Sequence, residues 1–126
     1  MIKVNASIGT NKYKTILQSK HNTFLADEPE DLGGTNLGPK PTEMLAGALA
    51  GCVAITVRMY ADRKEWPLED VKVEVEFDTE SQPGTTIFRK KIEFVGNLTD
   101  EQKQRLYMIA GKCPVNKALQ QPIVIE

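Results

Sequence analysis

Hydrophobic and polar positions change period several times along this chain. From residue 2 to 8, Ile2, Val4, Ala6 and Ile8 fall on one face, which is a strand pattern. Gly9-Thr10-Asn11-Lys12 marks a turn, and Tyr13 to Ser19 suits the returning strand. Thr23-Phe24-Leu25-Ala26 predicts a third short strand. From Asp27 to Pro41 the periodicity disappears. Three glycines and three prolines fill this stretch, which reads as one long loop of the kind often used for function.

A helix is predicted from about Thr42 to Lys64, with Pro41 suited to its first turn. Leu45, Ala48, Leu49, Cys52, Ile55, Thr56 and Met59 recur at three- and four-residue steps. The opposite side is also small or apolar as far as Val57, so the helix is expected to be buried on all sides. Gly47, Ala48, Ala50, Gly51 and Ala54 would let another backbone approach closely. Trp66-Pro67 ends the helix. Val71, Val73, Val75 and Phe77 then alternate with Lys72, Glu74, Glu76 and Asp78 in a half-exposed strand. Gln82-Pro83-Gly84 turns the chain. Thr86, Phe88, Lys90, Ile92 and Phe94 suggest the partner strand, with a register change expected near Lys90-Lys91. Thr99-Asp100-Glu101-Gln102 begins a second helix, whose apolar face is Leu106, Ile109 and Ala110. Pro114 to Leu119 predicts a short third helix, and Ile123-Val124-Ile125 a closing strand. Strands, a long helix, strands, a helix and a strand make an α+β fold, expected as one domain over residues 1–126.

Composition narrows the function classes. Sixteen basic residues balance seventeen acidic ones for a net charge of −1, which favours neither nucleic acid nor a membrane surface as a partner. The uncharged run from Met44 to Val57 is shorter than the roughly 20 residues of a bilayer span. Met1-Ile2-Lys3-Val4-Asn5 lacks the apolar run of a signal peptide behind it. A cytoplasmic location is therefore expected. In a reducing compartment a cysteine pair is more often redox-active than a structural staple. Two cysteines, one histidine and no close ligand cluster also argue against a structural zinc site, and no cofactor is expected.

The chemistry then rests on Cys52 and Cys113, 61 positions apart. Cys52 sits in the most apolar stretch. Free cysteine commonly packs as a small hydrophobe, and burial alone raises a thiol pKa. A reactive thiol there needs a nearby cation or donor that the sequence does not reveal. Cys113 precedes Pro114, a residue suited to the first helical position, which places Cys113 at the N-cap. Amide donors and Lys112 beside it favour an anion, although the thiol can equally well simply pack. Glu43 is the third candidate. It suits the first turn of the long helix, where an acidic residue favours the dipole. It stands nine positions before Cys52, which on one straight helix means roughly 13 Å and opposite faces. Glu43 can therefore reach only a Cys52 on another chain, across a two-fold axis that forms the contact twice. His21 lies in a turn, and Arg89, Lys90 and Lys91 read as a solvated strand face.

Several motifs together resemble the OsmC/Ohr family. Gly38-Pro39-Lys40-Pro41-Thr42-Glu43-Met44-Leu45, continuing through Ala48-Leu49-Ala50-Gly51-Cys52, is similar to that family's central helix. Cys113-Pro114-Val115-Asn116-Lys117-Ala118-Leu119 is similar to its second-cysteine motif. Asp27-Glu28-Pro29 with Gly33-Gly34, and Arg58-Met59-Tyr60-Ala61, resemble its OsmC-like branch. The resemblance implies an intertwined homodimer in which two long central helices pack between antiparallel sheets. It implies thiol-dependent reduction of hydroperoxides, with Cys52 as the peroxidatic and Cys113 as the resolving cysteine, Glu43 as a catalytic glutamate, and active sites at the subunit interface. A thiol reductant, either a low-molecular-weight dithiol or a thioredoxin-like or lipoyl protein, would reset the pair.

Two positions depart from the family pattern. The glutamate of well-characterised members stands ten positions before the first cysteine, where this chain has Thr42, with Glu43 one step later. Those members also supply an arginine from their N-terminal strands. This chain has none before Arg58, which leaves Lys12, Lys14 or Lys40 to substitute without the bidentate geometry of arginine. The leading expectation is a thiol peroxidase. The alternatives are a redox-sensing or hydrophobic-ligand-binding dimer without enzymatic activity, and a thiol–disulfide exchange protein.

Overall fold

The computed structural model describes residues 1–126, which form two compact units, Met1–Leu45 and Ala46–Glu126. The first unit is a three-stranded antiparallel sheet in the order β1 (Asn5–Ser7), β2 (Thr15–Gln18), β3 (Thr23–Ala26), with Ala6 opposite Leu17 and Ile16 opposite Leu25. The first strand is shorter than its alternation predicts. Met1 to Val4 have no strand opposite them and remain exposed.

The loop after β3 is organised by one carboxylate. Asp27 is buried, and its Oδ1 accepts from the backbone N–H of Glu28 at 2.7 Å, Tyr13 at 3.2 Å and Thr35 at 3.3 Å. Its Oδ2 accepts from the Thr35 hydroxyl and from the Leu37 N–H. The Thr35 hydroxyl is the main cause of a carboxyl held well below the usual range; burial opposes it, and the Glu28, Leu37 and Thr35 amides add to it. One turn of 3₁₀ helix, Glu30–Leu32, is wrapped into this loop. Gly34 is required here, because a Cβ at that position would lie 2.0 Å from the Glu28 carbonyl oxygen.

The second unit holds the core. Helix α1 spans Pro41–Lys64, so the unit boundary falls just after its first turn. Strands β4 (Leu68–Asp78) and β5 (Ile87–Gly96) form an antiparallel hairpin, followed by α2 (Asp100–Ala110) and α3 (Pro114–Gln120). A full capping box opens α2: the Thr99 hydroxyl accepts from Gln102 N–H, and the Gln102 side chain accepts from Thr99 N–H. Leu49, Val53, Val57 and Ala61 from α1 pack with Leu68, Leu106, Ala110 and Cys113. Val71, Val73 and Val75 of β4 and Phe88, Ile92 and Phe94 of β5 lie against that cluster. Each fully buried aliphatic side chain contributes roughly 1.5–3 kcal/mol.

Three expectations are corrected. The hairpin register is regular through Glu74 opposite Lys91 and Val75 opposite Lys90; its one irregularity lies between Leu68 and Asp70. Beside it, Gly96 adopts φ +141°, where a Cβ would sit 2.2 Å from the Pro67 carbonyl oxygen. Ile123-Val124-Ile125 is not a strand; no strand of this chain lies opposite it, and its side chains are exposed. Finally, α1 is not buried all round. Its sealed stripe, Leu49, Val53, Val57 and Ala61, steps by four residues. Gly47, Gly51, Ile55 and Met59 also step by four, offset by two residues and hence about 200° away. Ile55 and Met59 are each 61% exposed, and nothing lies within 4 Å of where a Cβ on Gly47 or Gly51 would sit. The elements of one chain cover only one side of this helix. By length and composition α1 could also cross a bilayer, a property that the central helix of a water-soluble core shares.

Candidate active site

Cys113 is fixed by the start of α3. Its backbone is extended (φ −65°, ψ 144°), Pro114 occupies the first helical position, and the Sγ accepts the Asn116 N–H at 3.3 Å. The thiol therefore serves as the helix cap, as the Cys-Pro order predicts. Its side chain is completely buried beneath α1 and α2 residues of the core cluster.

Cys52 arrives from α1, one residue before the sealed Val53 and therefore at the edge of the buried stripe. It packs against the same cluster but remains half-buried. Both thiols are free, and Cys52 packs against the buried cluster that holds Cys113. Burial pushes the Cys113 thiol up from its ordinary value, and the neighbouring Cys52 adds to this; the Asn116 amide and the charge of Lys90 pull the other way. The net effect favours the protonated Cys113 thiol. Sequence reasoning expected Cys52 to be the deeply buried member; the structure makes it the accessible one.

Asn116 links this pair to a cation. Its side chain is buried, and its Nδ2 donates to the Gly111 carbonyl at 2.9 Å and to Gln120 Oε1 at 3.3 Å. Its Oδ1 accepts from Lys90 Nζ at 3.0 Å. Lys90 was expected on a solvated face. It is exposed there, as expected, but with the register unbroken it falls on the face of Phe88, Ile92 and Phe94, opposite Val75, and its ammonium reaches Asn116. Unbroken alternation from Phe88 to Phe94 was the signal that could have found it; Asn116 carried no signal beyond its place three residues after the cap.

Glu43 belongs to the Met1–Leu45 unit, where its Oε1 accepts the Lys40 N–H at 2.9 Å and so caps α1. Lys12, Lys14 and Lys40 belong to that unit as well. Arg58 is engaged by the Leu68 carbonyl at 2.7 Å and by Asp62 at 3.2 Å. His21 is exposed in its turn.

Comparison with known proteins places this arrangement. The family profile described as OsmC-like protein matches residues 34–126, a span that includes α1 and both cysteines. Among solved structures, an OsmC-like protein from Mycoplasma pneumoniae superposes with a TM-score of 0.76 at 18% identity, covering 95% of this chain and 87% of that one. The organic hydroperoxide resistance protein OsmC from Legionella pneumophila superposes at 0.62 and 21% identity, over 95% and 89% of the two chains. An organic hydroperoxide resistance protein from Elizabethkingia anophelis does so at 0.63 and 21% identity, over 98% and 90%. A search of curated proteins gave no match. The α+β fold with antiparallel sheets is thus shared along nearly the whole chain, and with the profile spanning most of its length, this chain belongs to the OsmC-like family.

Proposed function

We propose that this protein is a thiol-dependent hydroperoxide reductase. The observation that carries the reading is the asymmetry of the sulfur pair: a half-buried Cys52 packed against the core cluster that holds a sealed Cys113. The accessible sulfur can meet a substrate, and the sealed one can meet only Cys52. The names of the Legionella and Elizabethkingia relatives, which are organic hydroperoxide resistance proteins, point to the same substrate class.

In the proposed cycle the Cys52 thiolate attacks the terminal peroxide oxygen. The O–O bond breaks, the alkoxide leaves and takes a proton to become the alcohol, and Cys52 becomes a sulfenic acid. The Cys113 sulfur then attacks the Cys52 sulfur. Hydroxide leaves with the Cys113 proton as water, and a disulfide forms. A dithiol reductant returns both sulfurs to thiols and is itself oxidised to a disulfide. The reading includes a cytoplasmic location and a homodimer in which the open face of α1 meets its counterpart and the partner's Glu43 approaches Cys52, the one way helix geometry lets that pair meet.

Stopped-flow consumption of cumene hydroperoxide with a dithiol reductant tests the cycle. Wild type should turn over, and Cys52→Ser should lose at least two orders of magnitude, the scale expected when an attacking nucleophile is removed (roughly 10²-fold or more). Equal rates for the two proteins would refute it.

A further inference from the structure

We propose that Lys90, oriented by Asn116, is the cation that stabilises the Cys113 thiolate as the disulfide opens and closes. This rests on the redox cycle proposed above and adds a positioning pair to it.

The geometry supports this in three ways. Lys90 is exposed on β5, in the alternation of Phe88 and Ile92 and opposite Val75. No carboxylate lies within 4 Å of its ammonium; its hydrogen-bond partner is the neutral amide oxygen of Asn116. The orientation of Asn116 is dictated rather than free. Its Nδ2 is committed to Gly111 O and Gln120 Oε1, which turns Oδ1 to the ammonium, while its backbone N–H holds Cys113 Sγ. One buried residue thus grips both the cation and the sulfur. The groups acting on Cys113 are Cys52 from α1, Asn116 from α3 and Lys90 from β5. Lys90 is the one side-chain charge among them, and its full counter-charge appears only when Cys113 ionises.

The consequence is directional. During closure, Cys113 attacks Cys52 sulfenic acid as its proton departs, and Lys90 lowers the cost of the negative sulfur. During reduction, a thiolate of the dithiol attacks Cys52 Sγ, the S–S bond breaks, and its electron pair leaves on Cys113. The second thiol of the reductant then releases Cys52. A stabilised leaving thiolate speeds that step and sends the reductant to Cys52, the sulfur that is not sealed.

The test follows closure in full-length protein. A sulfenic-acid trapping reagent reports the lifetime of Cys52 sulfenic acid after one equivalent of cumene hydroperoxide. For Lys90→Met, the rate of sulfenic acid formation should stay within about twofold of wild type. Its lifetime should lengthen about tenfold, equivalent to about one pKa unit on Cys113. Lys90→Arg should restore it to within about threefold, because it keeps the charge. Asn116→Asp, which neutralises Lys90 in place, should behave like Lys90→Met. An unchanged lifetime in Lys90→Met, or a lifetime in Lys90→Arg as long as in Lys90→Met, would overturn the proposal. If wild type forms neither sulfenic acid nor disulfide, the peroxidase reading fails instead. The role of Lys90 is then decided in Cys52→Ser protein by the ultraviolet thiolate absorbance of Cys113 against pH, with protein lacking both thiols as the blank. Lys90→Met should raise that midpoint by about one unit, and an unmoved midpoint would overturn the proposal.

Discussion

Cys113 carries two roles on one sulfur. It caps α3 through the Asn116 N–H, and in the proposed cycle it closes the disulfide with Cys52. The two roles separate by substitution. Serine is among the best N-cap residues and keeps an acceptor near the Asn116 amide, whereas valine fills the pocket but accepts nothing. Cys113→Val should be less stable than Cys113→Ser by about 1 kcal/mol in urea denaturation, while both should fail to form the disulfide. Equal stabilities would show that the cap contributes nothing. The Cys-Pro order made the cap legible from the sequence, and the two cysteines were legible as a candidate pair. The reach of Lys90 to Asn116 was not, because a lysine flanked by Arg89 and Lys91 reads as surface, as all three are, and only the strand register shows which one shares the face of Phe88 and Ile92.

Among the elements, the loop from Asp27 to Leu37 shows how a stretch without periodicity becomes ordered. Beside turn bonds within the loop, its remaining hydrogen bonds converge on one buried carboxylate rather than on a neighbouring strand. The Asp27 pKa is depressed by folding, so its contribution is present above the unfolded value near 3.9 and is lost as pH falls toward the folded value. Asp78, lowered first by the Ser81 hydroxyl and then by the Ser81 amide and Arg89, adds to the same trend from the β4–β5 turn. Stability should therefore decline on acidification below about pH 4. Asp27→Asn should be less stable than wild type at neutral pH and should lose less on acidification. Urea midpoints at about pH 6 and about pH 3 check this; parallel losses in the two proteins would rule Asp27 out as the source.

At the scale of the whole molecule, the fold leaves apolar surface that the chain itself does not cover: Ile55 and Met59 beside Gly47 and Gly51 on α1, and the tail Ile123–Ile125. A second copy, as proposed above, would cover the helix face, and the small residues would let the two backbones approach. Sedimentation equilibrium should find a dimer at micromolar concentration. Ile55→Asp should weaken it by roughly two orders of magnitude or more, because a charge would be buried without a partner. A compact monomeric wild type would end the dimer proposal.

Local chemistry determined much of this protein without tertiary information. The period of the apolar positions placed the helices and the hairpin, Thr99 and Gln102 marked the start of α2, and Cys113-Pro114 marked that of α3, because each signal acts within four residues. The tertiary structure decided what depends on distant partners. It brought Cys52 against the buried cluster of Cys113 across 61 positions and left Cys52 as the more open of the two sulfurs. It left one face of α1 bare and turned Lys90 toward Asn116. Burial and charge proximity are sums over neighbours from several elements, and a linear pattern reports only the neighbours along the chain.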